Sequence, residues 1–295
     1  MSKPYMAILI GIMAISFGSI FAKMAQAPSL ITASYRLALA VLIMTPFTVF
    51  ANFKEFRKID KKILGWTFLS GVFLALHFAT WISSLKYITV SSSVVLVALQ
   101  PVFVALGSWL FLKEPIPFKA LLTGCIALIG TVIIGLGDFR LGGEALWGDL
   151  LAILGALFAA LYWMVGRFAR KTLSVSTYTY LVYSMSSVLL ISFAYLQGLP
   201  LFSYPGRDWL LFLAAAVVPT LGGHSLFNWA LGYVPSFVVS IAILGEAIGA
   251  TILAFFLLQE IPTTTQLVGG GFIILGLYLF LRETAKSEAK SETVS

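Results

Sequence analysis

Ten long apolar runs, separated by short connections that carry most of the charges, make up almost all of this sequence. Each run has about the 20 residues that an α-helix needs to cross the hydrocarbon layer of a bilayer. They predict an all-α membrane protein with ten transmembrane helices. The runs are Pro4 to Ala22, Leu30 to Phe50, Leu64 to Leu85, Val90 to Leu112, Pro117 to Gly137, Trp147 to Val165, Thr177 to Gln197, Trp209 to Leu231, Pro235 to Leu258 and Thr265 to Leu281.

The composition excludes a soluble globular protein. Hydrophobic residues make up 60% of the chain and charged residues 11%, whereas soluble domains have about 25% charged residues. The net charge of +7 does not indicate nucleic-acid binding, because the basic residues are concentrated in alternate connections. We therefore expect the chain to be surrounded by a lipid bilayer and to have no nucleic-acid partner.

The distribution of the basic residues predicts the orientation of the chain, because cytoplasmic connections are enriched in Lys and Arg. If both termini are cytoplasmic, fourteen of the 19 Lys and Arg residues lie on the cytoplasmic side and one, Arg36, lies inside a run. The first run resembles a signal peptide, but its apolar part is longer than the usual stretch of about 7 to 15 residues, so we expect it to be retained. We predict a multi-pass protein of the cell membrane with cytoplasmic N- and C-termini. The remaining four basic residues are Lys23, Lys86, Arg140 and Arg207.

The second half of the sequence repeats features of the first at an offset of 146 positions, the difference between 231 and 85. Each half has five runs, an odd number, so the second half must enter the membrane from the opposite side. Inverted repeats of this kind are common in secondary transporters. We predict two inverted five-helix repeats, residues 1–137 and 138–282, and a disordered cytoplasmic tail, residues 283–295. The matching residues are Leu85, Tyr87, Glu114, Gly124 and Gly130 in the first half and Leu231, Tyr233, Glu260, Gly270 and Gly276 in the second.

Several short segments resemble a known family. They are Leu112-Lys113-Glu114-Pro115, Leu258-Gln259-Glu260-Ile261, the turns Leu85-Lys86-Tyr87 and Leu231-Gly232-Tyr233, and Leu244-Gly245-Glu246. Together they resemble the drug/metabolite transporter superfamily, specifically its EamA-type permeases, over essentially the whole chain. The resemblance implies a ten-helix bundle that moves amino acids, related metabolites or drugs, often outward. The family often has Leu-Glu-Pro at the ninth-run acid, whereas this chain has Gly245-Glu246-Ala247, which leaves open whether the ninth helix bends there.

Glu246 is a single carboxylate near the middle of the ninth run. An acid at the bilayer centre costs about 2.5 to 3.5 kcal/mol on the insertion scale and is a functional-site hypothesis by default. Gly245 and Gly249 lie on the edge of the same helix face, so we expect neighbouring helices to approach it closely. A functional Glu246 would bind a proton or a substrate ammonium, and a structural one would stay neutral or bond to a hydroxyl. Its repeat counterpart is Gln100, a neutral hydrogen-bonding residue.

Polar pairs on two other runs are further candidates for the transport pathway. His77 and Trp81 on the third run, and His224 and Asn228 on the eighth, are four residues apart, so each pair shares a helix face. Buried histidines with hydroxyl partners are the alternative. The histidines do not align at the repeat offset and make a poor metal site. We therefore predict no metal and no cofactor.

Aromatic residues occur on the first and sixth runs, which are repeat counterparts. Phe17, Tyr162 and Trp163 are candidates for lining a cavity, with packing as the alternative. Aromatic faces beside one buried acid would suit a cationic or zwitterionic amine. Arg36 is interpreted as a snorkelling or paired residue near a helix end, with an anion site as the alternative. Glu114 and Glu260 are interpreted as caps or gates at helix ends.

These features predict a monomeric secondary active transporter of small metabolites, amino acids or related amines and drugs. We expect it to export its solute with protons, by alternating access around a central cavity. An uncoupled facilitator or an uptake permease for a small polar metabolite is the alternative. An enzyme is not expected, because the sequence contains no HExxH, GxSxG or Walker A motif.

Overall fold

The computed structural model describes residues 3–112, 118–139, 142–224, 226–227 and 236–292. Within these ranges the secondary structure is helical, without strands. The helices are α1 (Lys3–Met24), α2 (Ser29–Ala51), α3 (Phe53–Phe56), α4 (Lys61–Ser84), α5 (Val90–Val97), α6 (Gln100–Leu112), α7 (Phe118–Phe139), α8 (Gly143–Arg170), α9 (Val175–Leu196), α10 (Gly206–Ala215), a π-helical segment (Ala216–His224), α11 (Ser236–Leu258) and α12 (Thr264–Glu292).

Seven helical segments of the described chain are long and apolar enough to cross a membrane. Two shorter apolar stretches, Leu122–Gly137 and Leu244–Leu258, lie in α7 and α11. The prediction of an all-α, multi-pass membrane protein is therefore confirmed, while the count of ten spans stays a prediction. The last helix continues to Glu292, through most of the tail predicted to be disordered, where Ala, Glu and Lys favour the helical conformation.

The fourth predicted run is not one continuous helix. It is divided into α5 and α6 at Ala98 and Leu99, just before Pro101. A proline has no N–H to donate to the preceding turn, and its ring clashes with that turn. Here Leu99 and Val102 instead donate backbone hydrogen bonds to residues only three positions earlier. By contrast, α11 passes through Glu246 without a break, so the acid does not lie at a bend.

The eighth predicted run changes its helical form part-way. After α10 it continues as a π-helical segment that contains Pro219. Thr220 Oγ1 donates a hydrogen bond to the carbonyl of Ala215, five residues earlier (2.8 Å). π-helical turns are rare and often occur at functional sites. This segment therefore marks a part of the bundle where a functional site is expected.

Helices from the two halves pack against each other. α2 and α9 run antiparallel, because Thr45 bonds to Tyr180 while Asn52, directly after α2, bonds to Ser176, earlier on α9. α7 and α12 are also antiparallel, since Gly137 lies against Thr265 and Gly124 against Phe280. α4 packs along α8, and α1 packs against both the π-helical segment and α11.

Candidate functional site

Arg36, on α2, lies inside the bundle with 2% of its surface exposed. Its Nε donates a hydrogen bond to Thr220 Oγ1 in the π-helical segment (2.8 Å). Its guanidinium carbon lies 4.7 Å from the ring centre of Phe78 and 5.7 Å from that of Trp81, both on α4. Arg36 therefore does not snorkel, because it is buried, whereas the interpretation of Arg36 as a paired residue is confirmed by its bond to Thr220. Two aromatic faces and a hydroxyl hold the cation inside the protein, where they partly replace its water.

Glu246 lies on the side of α11 that packs against the rest of the bundle. The neighbouring glycines face α1: a Cβ at Gly245 would be 3.1 Å from Ile12 Cγ2, and one at Gly249 would meet Ser16. The predicted close approach of another helix is thus confirmed. Glu246 is half-buried and interacts electrostatically with Arg36. No ion pair or hydrogen bond directly joins these two described side chains.

The two predicted histidines both lie near Arg36. His77 Nδ1 is hydrogen-bonded to the carbonyl of Gly155 on α8 (2.9 Å), and its ring stacks on Trp81 with centroids 5.7 Å apart. His224, the last residue of the π-helical segment, interacts electrostatically with Arg36 and His77. We call the group formed by Arg36, Glu246, His77, His224 and Trp81 the central polar cluster.

Two donors of the cluster lack partners. Arg36 Nη1 and Trp81 Nε1 are buried and have no hydrogen-bond partner among the described residues. Both residues lie next to Gly18 on α1, where a Cβ would be 3.4 Å from Arg36 Nη1 and 3.7 Å from Trp81 Cη2. The cluster therefore contains hydrogen-bonding capacity that the described protein does not use.

The other predicted site residues lie in different surroundings. Tyr162 is buried and packs against Tyr178, with ring centroids 6.5 Å apart. Trp163 is 42% exposed, and Phe17 is half-buried and stacks on Phe21 at 5.5 Å. For these residues a role in the pathway stays a prediction.

The two remaining candidates come from the fourth and eighth runs. Gln100 is half-buried and begins α6 directly after the bend. Asn228 lies outside the described residues. Of the predicted set, the structure thus brings together His77, Trp81, His224 and Glu246.

Sequence reasoning named the residue on which this cluster is centred but favoured a snorkelling or paired role over an anion site. Apart from Lys119, which lies two residues from the start of its run, Arg36 is the one Lys or Arg inside a predicted run, a signal equal to the one that identified Glu246. Its partners Thr220 and Phe78 carried no such signal, because a threonine and a phenylalanine are ordinary residues in apolar runs. Their contacts with Arg36 depend on the packing of α2, α4 and the π-helical segment, which are distant in the sequence. The sequence pattern alone therefore did not indicate these contacts.

A second polar contact lies at the end of the bundle that carries Lys23, here called the Lys23 end. Lys23 Nζ lies 3.2 Å from Glu260 Oε1 and donates a hydrogen bond to the carbonyl of Ile88 (2.7 Å). Glu260 Oε2 accepts a hydrogen bond from the backbone N–H of Val90, at the start of α5 (2.8 Å). Glu260 therefore caps a helix, as predicted, and Glu114 lies outside the described residues.

Family comparison assigns the chain to a class of protein. The sequence model of the EamA-like transporter family matches residues 2–136 and, a second time, residues 146–282. The chain belongs to the EamA-like transporter family. This confirms the resemblance found from the sequence motifs, and it indicates a membrane transporter rather than an enzyme. Among the described residues, no three His, Cys, Asp or Glu side chains are grouped so that they could hold a metal.

Individual relatives of this EamA-like transporter agree with the family assignment. It is 28% identical over 267 residues to an uncharacterized transporter of Archaeoglobus fulgidus, covering 90% of this chain and 91% of that protein. It is 25% identical over 211 residues to a riboflavin transporter of Vibrio cholerae, covering 69% of this chain and 65% of that protein. One solved crystal structure matches with a TM-score of 0.59 at 18% identity, covering 94% of this chain and 98% of the other. That similarity shows a shared fold.

Proposed function

We propose that this EamA-like transporter is a secondary active carrier that exports a small metabolite together with protons, with Glu246 as the coupling group. The observation that carries the proposal is the central polar cluster. It places a carboxylate and a guanidinium inside the bundle, on helices from opposite halves of the chain. Secondary transporters with repeated halves bind their substrates where the halves meet.

The packing of the helices supports two inverted five-helix repeats. α2 and α9 are repeat counterparts, as are α7 and α12, and each pair runs antiparallel. The contact of α1 with α11 has its equivalent in the contact of α8 with α5 and α6. Exchanging the halves therefore reproduces these contacts, as expected for repeats related by a two-fold axis in the membrane plane.

The contact at the Lys23 end supports alternating access. It joins α1 and the start of α5, in the first half, to the connection between α11 and α12, in the second half. On the predicted topology this end is extracellular, and the contact then joins the two halves on the outside of the membrane. Export then requires the Lys23–Glu260 ion pair to open.

Glu246 supplies the chemistry that coupling needs. A carboxyl group that is desolvated in one conformation and hydrated in another binds and releases protons as its surroundings change. Arg36 lies close enough to act on that charge. A solute that binds between these residues would therefore be linked to the protonation of Glu246.

The test is a solute screen in sealed proteoliposomes, with and without an imposed proton gradient. The screen includes amino acids, amines and riboflavin, the last because two relatives are named riboflavin transporters. We expect flux that responds to the gradient and is lost in Glu246→Gln. The matched control is Glu144→Gln, which removes an exposed acid from the first turn of α8.

Each alternative has its own outcome. Normal, pH-coupled transport by folded Glu246→Gln would refute the role of the central acid, while the family assignment would stand. Flux that only equilibrates the solute, without dependence on the gradient, would favour the uncoupled facilitator. Solute accumulation in the inward direction would favour the uptake permease.

A further inference from the structure

We propose that Arg36 binds a carboxylate of the transported solute, and that the indole N–H of Trp81 donates a second hydrogen bond to it. This inference rests on the proposed function, because it assigns the substrate class of the same site. It narrows the candidate solutes from small metabolites in general to molecules that carry a carboxylate, zwitterions included.

The first support is the incomplete bonding of a buried cation. Arg36 has 2% of its surface exposed and uses Nε to bond Thr220, while Nη1 has no partner among the described residues. A buried polar atom without a partner is unfavourable, and native proteins rarely retain one without a reason. A ligand acceptor that occupies this position during transport supplies such a reason.

The second support is the presence of another unused donor in the same cluster. Trp81 Nε1 is buried and unpartnered among the described residues, and the guanidinium lies over the Trp81 ring. Opposite them, α1 presents Gly18, and a methyl group there would already touch Arg36 Nη1 at 3.4 Å. Glycine thus lets α1 lie close to a planar guanidinium, whose fork of donors matches the two oxygens of a carboxylate.

The third support is the position of Glu246. Its charge acts on Arg36, but no ion pair or hydrogen bond directly joins the two described side chains. Glu246 therefore leaves Nη1 available to a solute. When a solute carboxylate occupies Arg36, the carboxyl group of Glu246 remains able to bind a proton or the ammonium group of a zwitterion.

The test compares solutes that differ only in the carboxylate. The probes are L-phenylalanine and L-phenylalaninamide, nicotinate and nicotinamide, and pantothenate and pantothenol. Binding to the purified protein is measured by thermal shift, and flux is measured in proteoliposomes. For the unmodified chain we expect at least one acid to bind about 10-fold to 100-fold more tightly than its neutral analogue, the range for a charge-assisted hydrogen bond. The proposal is overturned if no acid in the panel is preferred.

Variants then assign the preference to residues. Arg36→Gln should abolish it, and Arg36→Lys should retain part of it because the charge remains without the fork. Trp81→Phe keeps the aromatic face and removes the N–H, so it should weaken acid binding about 5-fold to 10-fold. The matched control is Trp66→Phe on the same helix, where the indole stacks on Phe168, and it should change nothing.

The outcomes separate this inference from the proposed function. An unchanged acid preference in Arg36→Gln would overturn the inference. Flux through the unmodified chain that does not respond to the proton gradient, or coupled flux through Glu246→Gln, would overturn the proposed function. Transport that depends on Glu246 but moves amides as well as acids would leave the function standing and reject the role of Arg36. If Arg36→Gln does not fold, Arg36→Lys and the solute pairs on the unmodified chain decide the question.

Discussion

Gly130→Ala should destabilise the protein, because α7 and α12 cross there with backbone against backbone. A Cβ at Gly130 would overlap the carbonyl oxygen of Gly269 and lie 2.8 Å from the backbone nitrogen of Ile273. Neither atom belongs to a flexible side chain, so the helices themselves must separate. Overpacking of this kind costs about 1 to 3 kcal/mol, while replacing a helical glycine by alanine gains up to about 1 kcal/mol.

The matched control is Gly271→Ala on α12, where a Cβ has no described neighbour within 4 Å. The control gains the same helix propensity without the overlap, so the difference between the two variants isolates the overpacking. We expect Gly130→Ala to unfold roughly 2 to 12 °C below Gly271→Ala, because 1 kcal/mol corresponds to about 2 to 4 °C in domains of about 150 to 250 residues. The assay is thermal unfolding in one detergent, followed by tryptophan fluorescence. Equal melting temperatures would refute the backbone contact.

Three further predictions concern other parts of the bundle. Glu260→Gln keeps a hydrogen-bond acceptor for the start of α5 but loses the ion pair to Lys23, so we expect the free energy of unfolding to fall by less than about 1 kcal/mol. The difference in melting temperature between the two proteins should become smaller in high salt. Burial alone would raise the pKa of Glu55, but hydrogen bonds from Ser174 and Thr177 outweigh burial and lower this pKa from 4.5. The stabilisation by the Glu55 carboxylate is therefore present above pH 4.5 and is lost as the pH falls through the lower pKa of the folded protein. The melting temperatures of the unmodified protein and of Glu55→Gln should therefore converge in acid. Pro101→Ala restores a backbone donor at the bend, and we expect unchanged or higher thermal stability with slower solute flux in proteoliposomes.

The helices were predictable because their signals are local. Length and hydropathy predicted the segments, and Asp60, Thr89 and Ser174 cap α4, α5 and α9 through their own side chains. The effects of proline were harder to predict. Pro46 is accommodated inside α2, Pro101 follows a break, and Pro219 lies in a π-helical segment. Neighbouring helices decide how the freed backbone groups are satisfied, and a single sequence does not specify those neighbours.

The candidate site was predictable only in part, for a related reason. Glu246, His77, Trp81 and His224 were identified as polar or aromatic residues at helical spacing. Arg36 has a long side chain that can extend towards either the interface or the interior. The aromatic faces on α4 and the hydroxyl of Thr220 determine its direction, and both come from distant parts of the chain.

The bend before Pro101 has a consequence for the ancestry of the fold. Ala247 occupies the corresponding place in the second copy, since 247 and 101 differ by 146, and the acid at Glu246 corresponds to Gln100. Each copy has therefore kept a specialisation that the other lacks. A chimaera fused from two first copies would have two such helix breaks and no carboxylate at this depth, and one fused from two second copies would have two carboxylates and no break. The two copies thus differ at the same place in the fold, each with a feature that the other lacks.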